Sequence, residues 1–334
     1  MSVAPTTVTY NDIISAAARL SGVVNTTPLL SFADLDRRAG GTVYLKAENL
    51  QRMGSFKIRG AYNAIAQLTP EQRASGVVAW SSGNHAQGVA LAAHLFGCKA
   101  HIVMPEDAPA GKRAAVLRLG ARIVDYDRYS EDREAIALAL AERLGAPLIP
   151  SYDHLSVIAG QGTVGLEVFN DPCLQAEPPD QVLVCCGGGG LVAGIGLAAQ
   201  ALTPTTRIFA VEPAVADDTK RSLASGTWES NPADTVSICD ALLTPTPGKL
   251  TFGINQQRLA GVLTVTDDEV RFAIGYARRE LRLVVEPGGA VALAAVLAGK
   301  VNVAGLKTVV ILSGGNIDDA MLADATDYYH ARSE

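Results

Sequence analysis

Residues 77–105, VVAWSSGNHAQGVALAAHLFGCKAHIVMP, decide the fold class. Val77 to Trp80 is an apolar run of strand length. Asn84 to Phe96 is an alanine-rich helix closed by Gly97, and Ala100 to Met104 is a second apolar run stopped by Pro105. Two strands separated by a helix of this length make a parallel βαβ unit, because parallel neighbours need a crossover that hairpins cannot supply. The alternation continues: Gly111 to Leu119 reads as a helix closed by Gly120, and Arg122 to Tyr126 as a strand. Glu131 to Leu144 reads as a helix closed by Gly145, and Pro147 to Pro150 as a fourth strand.

The flanks carry the same grammar. Asp12 to Leu20 reads as a helix N-capped by Asn11, Val43 to Lys46 as a short strand, and Gly60 to Leu68 as a helix ending before Thr69-Pro70. Downstream, Gly162 to Phe169 is a helix, Gln181 to Cys186 a buried strand, and a glycine run leads into a helix from about Val192 through Leu202. Arg207 to Val211, Leu263 to Val265 and Val309 to Leu312 are strands, and Thr266-Asp267-Asp268-Glu269 opens a helix with acids in its first turn. Asp217 to Gly261 has weak periodicity and reads as long connections with short helices. The expected fold is α/β in two lobes, each a mainly parallel sheet flanked by helices. Residues 77–151 form the small lobe; residues 1–76 and 152–334 form the large one. A cleft between two such lobes is a favoured ligand site.

Composition narrows the class. With 48% hydrophobic and 19% charged residues, 32 glycines and mean hydropathy +0.19, the chain reads as a soluble α/β enzyme and not as a disordered protein. Net charge is −6 and no block of five Lys/Arg occurs, which argues against nucleic-acid or anionic-membrane partners. Met1 to Tyr10 lacks a basic and an apolar region, so no secretory signal is expected, and Ala290 to Ala298 is too short to span a bilayer. Cys98, Cys173, Cys185, Cys186 and Cys239 form no CxxC pair; they read as reduced thiols of a cytoplasmic protein.

Four motifs could carry chemistry. Lys57, in Gly54-Ser55-Phe56-Lys57-Ile58-Arg59-Gly60, sits in an apolar stretch that reads as a strand-to-helix junction. A lysine there either snorkels to solvent or desolvates its ammonium; desolvation lowers its pKa and frees a nucleophile for Schiff-base chemistry with an aldehyde such as pyridoxal phosphate. Gly187-Gly188-Gly189-Gly190-Leu191 follows the strand ending at Cys186. Backbone N–H groups can converge there on a phosphate, although a tight turn with close helix packing uses the same glycines. Ser81-Ser82-Gly83-Asn84-His85 is a second strand-to-helix turn. It suits a carboxylate, or serves only to N-cap its helix through Ser82 or Asn84, with His85 structural. Ser313-Gly314-Gly315-Asn316 ends the last strand, a frequent use of such residues.

Together and in this order the four motifs resemble the fold-type-II pyridoxal-phosphate enzymes, the tryptophan synthase β-like architecture, and within them the serine/threonine dehydratase and serine racemase branch. The resemblance covers nearly the whole chain. Cysteine synthases share the fold, but their lysine is typically followed by Asp-Arg where this chain has Ile58-Arg59, and their loop has Thr where this chain has His85. The resemblance implies that Lys57 carries the cofactor, that Phe56 flanks its ring, and that Asn84 hydrogen-bonds the 3′ oxygen. It implies that Gly187, Gly188, Gly189, Gly190 and Leu191 cradle the phosphate and that Ser313 faces the pyridine nitrogen. A neutral hydroxyl at that nitrogen makes a weaker electron sink than an aspartate would, favouring prompt β-elimination over transamination. The implied reaction is ammonia-lyase (dehydratase) chemistry on a β-hydroxy-amino acid (serine, threonine or 3-hydroxyaspartate), giving a 2-oxo acid and ammonia, with Lys57 removing the α-proton. Ser82 resembles the serine that handles protons on the opposite face in racemases, so an amino-acid racemase is the alternative.

The resemblance extends to Glu212, Asp218 and the carbonyl of Ala216, which match a divalent-cation site. Oxygen ligands suit Mg²⁺, Ca²⁺ or Mn²⁺, whereas a solvated acidic loop is the plain reading. Arg133 resembles an arginine near the racemase substrate; it would hold a second carboxylate, or is simply a solvated helix charge. The branch usually shows Ala-Asp-Gly where this chain has Cys239-Asp240-Ala241, followed by a longer Thr244-Pro245-Thr246-Pro247-Gly248 segment, which leaves substrate identity open. The chain ends soon after Ser313, so isoleucine feedback through a regulatory domain is not expected. Related enzymes are often dimers, which makes a homodimer an expectation here.

Overall fold

The computed structural model describes residues 7–333; the reading of Met1 to Tyr10 therefore falls largely outside the described residues. Among the described residues nine strands form two sheets: β1 (Leu29–Ser31), β2 (Thr42–Ala47), β3 (Val77–Trp80), β4 (Ala100–Pro105), β5 (Arg122–Tyr126), β6 (Gln181–Cys185), β7 (Arg207–Pro213), β8 (Leu259–Val265) and β9 (Lys307–Leu312). One sheet has the order β1-β2-β9-β6-β7-β8, the other β3-β4-β5. Every pairing is parallel except β1 with β2, an antiparallel edge. The central strands β6 and β9 are apolar on both faces because helices cover both sides, the pattern a parallel sheet requires. Each sheet has its own apolar core, one centred on β6, β7 and β9 and the other on β3 and β4.

Several local readings need correction. Pro147 to Pro150 is not a strand but a single bridge, Val78 to Leu148, so the small sheet has three strands. Its two prolines lack the N–H groups that would extend a ladder. Thr9, not Asn11, caps the Tyr10–Leu20 helix: its hydroxyl accepts from the amide of Asp12 while the Asp12 carboxylate accepts the Thr9 amide. The glycine-run helix begins at Gly190, two residues before Val192, and the helix ending at Phe169 begins at Leu155, seven before Gly162. The Pro287–Leu297 helix had no reading as a helix, since buried alanines and valines all round leave no amphipathic period. Gly97, Gly120 and Gly145 do terminate their helices, at φ +64°, +79° and +59°.

The segment around Lys57 also differs from a simple strand-to-helix junction. After β2 the chain makes two 3₁₀ turns, Glu48–Leu50 and Arg52–Gly54, and Lys57 opens the helix Lys57–Ala66, three residues earlier than Gly60. A buried ionic cluster anchors this helix. Arg59 donates Nε to Glu48 Oε2 at 2.8 Å and Nη2 to Glu48 Oε1 at 2.7 Å. Arg59 Nη1 donates to Glu167 Oε1 and Lys46 Nζ to Glu167 Oε2, both at 2.6 Å. Four charges on β2, a turn and two helices are thereby balanced two against two, and the helix that Lys57 opens packs against the Leu155–Phe169 helix.

Candidate active site

The carboxyl ends of β3, β6 and β9 open into one cavity lined by Phe56, Lys57, Ser81, Ser82, Gly83, Asn84, His85, Arg133, Gly187 to Leu191 and Ser313. Residues far apart in the chain meet there because parallel strands place all their carboxyl-end turns on the same side.

Lys57 is the nucleophile candidate. Its Nζ donates to the carbonyl of Ser151 at 2.9 Å and lies 5.1 Å from the Phe56 ring centroid. Burial lowers its pKa to about 8, against the raising fields of Cys185 and Glu286. At pH 7 about a tenth of such a lysine is the free amine, against less than about one part in a thousand for an ordinary one.

The glycine run forms a cradle of free donors. The amides of Gly187 to Leu191 donate no backbone hydrogen bond among the described residues. Gly189 stands at φ +84° as the N-cap of the Gly190–Leu202 helix, a conformation that side chains resist. A Cβ on Gly188 would lie 2.3 Å from the Tyr152 ring and one on Gly187 3.0 Å from Leu242. Orphan N–H groups at a helix start, with no room for side chains, fit a phosphate. Across the cavity the buried Ser313 hydroxyl accepts from Cys185 Sγ at 3.2 Å, which leaves its own proton for a further acceptor.

Neither Ser82 nor Asn84 caps the Asn84–Leu95 helix; Gly83 is its N-cap, without a side-chain bond. Asn84 is instead oriented by two neighbours. Its Nδ2 donates to Glu286 Oε1 at 2.5 Å and its Oδ1 accepts from Asn316 Nδ2 at 2.7 Å, which sets the amide's direction and leaves one N–H free. His85 has the structural partner its sequence context did not reveal: Nε2 lies 2.7 Å from the carbonyl of Ile149. Burial and Lys57 push its pKa down to about 3, so the ring is neutral. Arg133 is the first residue of the Arg133–Leu144 helix, is exposed at the cavity, and makes no hydrogen bond or ion pair among the described residues.

Glu286 escaped the sequence reading. Its only local signal is an acid before Pro287 at a helix start, which ordinarily means an N-cap. Here the carboxyl is buried, and burial and Asp240 push its pKa up to about 7 against the Asn84 hydrogen bond and the fields of Lys112 and Lys57. A carboxyl raised from 4.5 withholds stability as pH rises above 4.5, until it ionises in the fold near 7. The cofactor-free Glu286→Gln variant is therefore expected to exceed the parent's stability at pH 8 by on the order of 2–3 kcal/mol, with the difference vanishing near pH 4. Urea unfolding at the two pH values measures this; equal differences at both would contradict it.

Glu212 is the penultimate residue of β7 and Asp218 opens the Asp218–Ser225 helix, with Ala216 between them. Both carboxyls are buried. Glu212 is pushed up to about 8 by burial and Asp218, and Asp218 to about 6 by burial. Asp218 Oδ1 accepts from Asn231, but its buried Oδ2 has no hydrogen-bond partner. Two desolvated carboxyls with an orphan oxygen fit a hard cation. No cluster of three or more His, Cys, Asp or Glu side chains suited to a metal occurs among the described residues, so any third ligand is a carbonyl or water.

A family profile described as "Pyridoxal-phosphate dependent enzyme" matches residues 20–314. An L-threo-3-hydroxyaspartate ammonia-lyase from Pseudomonas sp is 45% identical over 311 residues, covering 92% of this chain and 95% of the relative. A serine racemase from Schizosaccharomyces pombe is 40% identical, covering 93% and 94%. The crystal structure of a threonine deaminase from T.th. superposes with a TM-score of 0.87 at 42% identity, covering 93% of this chain and 99% of that one. With the lysine, glycine cradle and serine of one cavity in place, the match over most of the length shows that this chain belongs to the pyridoxal-phosphate dependent enzyme family.

Proposed function

We propose that the cavity converts a β-hydroxy-amino acid to a 2-oxo acid and ammonia, with 3-hydroxyaspartate as the preferred substrate. The observation that carries this reading is the Lys57 amine, kept partly neutral by burial, opening into the cavity that the free glycine amides share. Bound pyridoxal phosphate supplies an aldehyde for that amine and an electron-withdrawing ring that acidifies the substrate's Cα–H. The amides of Gly187, Gly188, Gly189, Gly190 and Leu191 would hold the phosphate, the Ser313 hydroxyl the ring nitrogen, and the free N–H of Asn84 the ring oxygen. Phe56 closes one side of the pocket. The freed Lys57 amine would take the substrate's α-proton, and the β-hydroxyl would leave as water once protonated. The Ser81 to His85 turn offers the unbonded amides of Asn84 and His85 to the α-carboxylate. In this reading residues 77–151 make up a small lobe over the cofactor-bearing remainder.

The second carboxylate of 3-hydroxyaspartate would have a partner in Arg133, which forms no ion pair among the described residues, and two relatives more than 40% identical carry that substrate in their names. A divalent cation between Glu212 and Asp218, with the Ala216 carbonyl, would neutralise two buried carboxyls and brace the loop beyond them without touching the reaction.

A substrate panel tests both points. L-Serine, L-threonine and the 3-hydroxyaspartate diastereomers are incubated with holoenzyme, with and without EDTA, and 2-oxo acid and D-amino acid are assayed separately. Oxo acid is expected to form fastest from a hydroxyaspartate, and EDTA to lower activity reversibly on addition of Mg²⁺ or Ca²⁺. Faster accumulation of a D-isomer than of oxo acid would make Ser82 a second proton carrier and the enzyme a racemase.

A further inference from the structure

The mouth of the cavity holds two cations in unlike states. Arg133 is unpaired among the described residues, whereas Lys112 Nζ stands 3.1 Å from Asp240 Oδ2. Lys112 belongs to the Ala110–Arg118 helix beside the three-stranded sheet. Asp240 belongs to the 3₁₀ turn Asp240–Leu242, which packs on the Pro287–Leu297 helix of the other sheet. The pair therefore ties the two halves together across the cavity that holds Lys57 and Ser82. It is also unequal: the lysine side chain is 17% exposed and the aspartate 60%. A pair with one solvated partner contributes about 0–1 kcal/mol, so another carboxylate can replace Asp240 at little cost. Lys112, Asp240 and the buried Glu286 line the same cavity, and Glu286 feels both members of the pair, Asp240 raising its pKa and Lys112 lowering it.

We propose that Lys112 is a specificity-determining residue for substrates with a second carboxylate, which takes the ammonium from Asp240 and shares it with Arg133. One ionic contact replaces another, Asp240 returns to water, and no covalent bond changes. A substrate with a single carboxylate leaves the Lys112–Asp240 contact in place. Two substitutions should then act in opposite directions: removing the ammonium removes a ligand, while removing Asp240 removes a competitor. The inference rests on the lyase reading above.

The test measures kcat/KM of holoenzyme for L-threo-3-hydroxyaspartate and L-serine in the parent, Lys112→Met and Asp240→Asn. Calorimetric titration with L-aspartate, which has both carboxylates but no leaving hydroxyl, accompanies it. Lys112→Met is expected to lower the hydroxyaspartate-to-serine ratio by about tenfold or more, the worth of one charge-assisted hydrogen bond, and to weaken L-aspartate binding similarly. Asp240→Asn should raise the ratio and tighten L-aspartate binding, chiefly through KM. A purely structural tie would move both substrates equally and both variants in the same direction, and that result would overturn the proposal. If the parent turns over neither substrate, the lyase reading fails, and the titration still decides: opposite shifts in L-aspartate affinity sustain the role of Lys112, and unchanged affinity refutes it.

Discussion

Lys57→Ala holoenzyme is expected to lose turnover by about 10⁴-fold or more, the scale on which removal of a covalent catalytic group acts, while the cofactor-free variant unfolds at or above the temperature of the cofactor-free parent. The second half follows from burial. Lys57 gives only a backbone carbonyl one hydrogen bond, and its desolvation works against the charged form, so the fold loses little when it goes. The contrast with Lys46 is instructive. Lys46 is more deeply buried, yet Glu167 at 2.6 Å and the carbonyl of Thr27 at 2.7 Å hold its ammonium. Lys46 is thus engaged in structure, whereas Lys57 forms no ion pair among the described residues. Borohydride reduction of the loaded enzyme followed by peptide mapping should place the adduct on the peptide containing Lys57. An adduct on another lysine, or a Lys57→Ala enzyme that keeps its rate, would remove the basis of the mechanism.

Arg59→Met should produce the largest loss of stability of any single change near the site, about 3–5 kcal/mol, as expected when one member of a buried ion network is deleted. Glu48 and Arg59 are fully buried, and Arg59 supplies both hydrogen bonds of the Glu48 fork as well as two to Glu167. Without it Glu48 keeps, among the described residues, only the Thr27 hydroxyl at 2.6 Å, and three charges remain with a net negative excess. The pH dependence has a definite sign. Arg59 and Lys46 hold the Glu167 pKa below its usual 4.5 against burial, so their contribution is complete above that value and fades as pH falls below it. The gap between parent and variant should therefore be full at pH 7 and narrow in acid. Denaturant unfolding at pH 7 and pH 4 measures it; a gap under about 1 kcal/mol at pH 7, the range of an exposed ion pair, would show the network to be dispensable. Arg59→Lys should recover only part of the loss, since an ammonium cannot present the planar fork that Glu48 engages.

Much of this site was legible because local rules and global topology agree. Apolar runs stopped by Gly and Pro gave the strand–helix alternation, and parallel pairing then brought the turns after β3, β6 and β9 to one side. The glycine run, the Ser81 to His85 turn and Ser313 follow those strands, so their meeting was a consequence of the order of elements. Where the reading missed, a long-range contact decided the outcome. Pro147 to Pro150 has strand-like composition, but its missing donors stop the ladder after one bridge. Asn84 carries a capping residue's signature, but Glu286 and Asn316, more than 200 residues away, claim its amide. Arg59 was read only as part of the lysine motif, because its partners Glu48 and Glu167 are separated from it by 11 and 108 residues.

The chain by itself determined the α/β class, the turns that face the cavity and the identity of the lysine motif. Each of these is written in short-range patterns of burial, backbone freedom and turn chemistry. Tertiary structure alone decided which buried lysine is held in an ion network and which is left with a lowered pKa. It also decided that the Glu286 carboxyl sits beside Asn84 and that Lys112 reaches Asp240 across the cavity. Charge state and hydrogen-bond direction depend on the dielectric and the partners within a few ångströms, and those partners are assembled by folding from distant parts of the sequence.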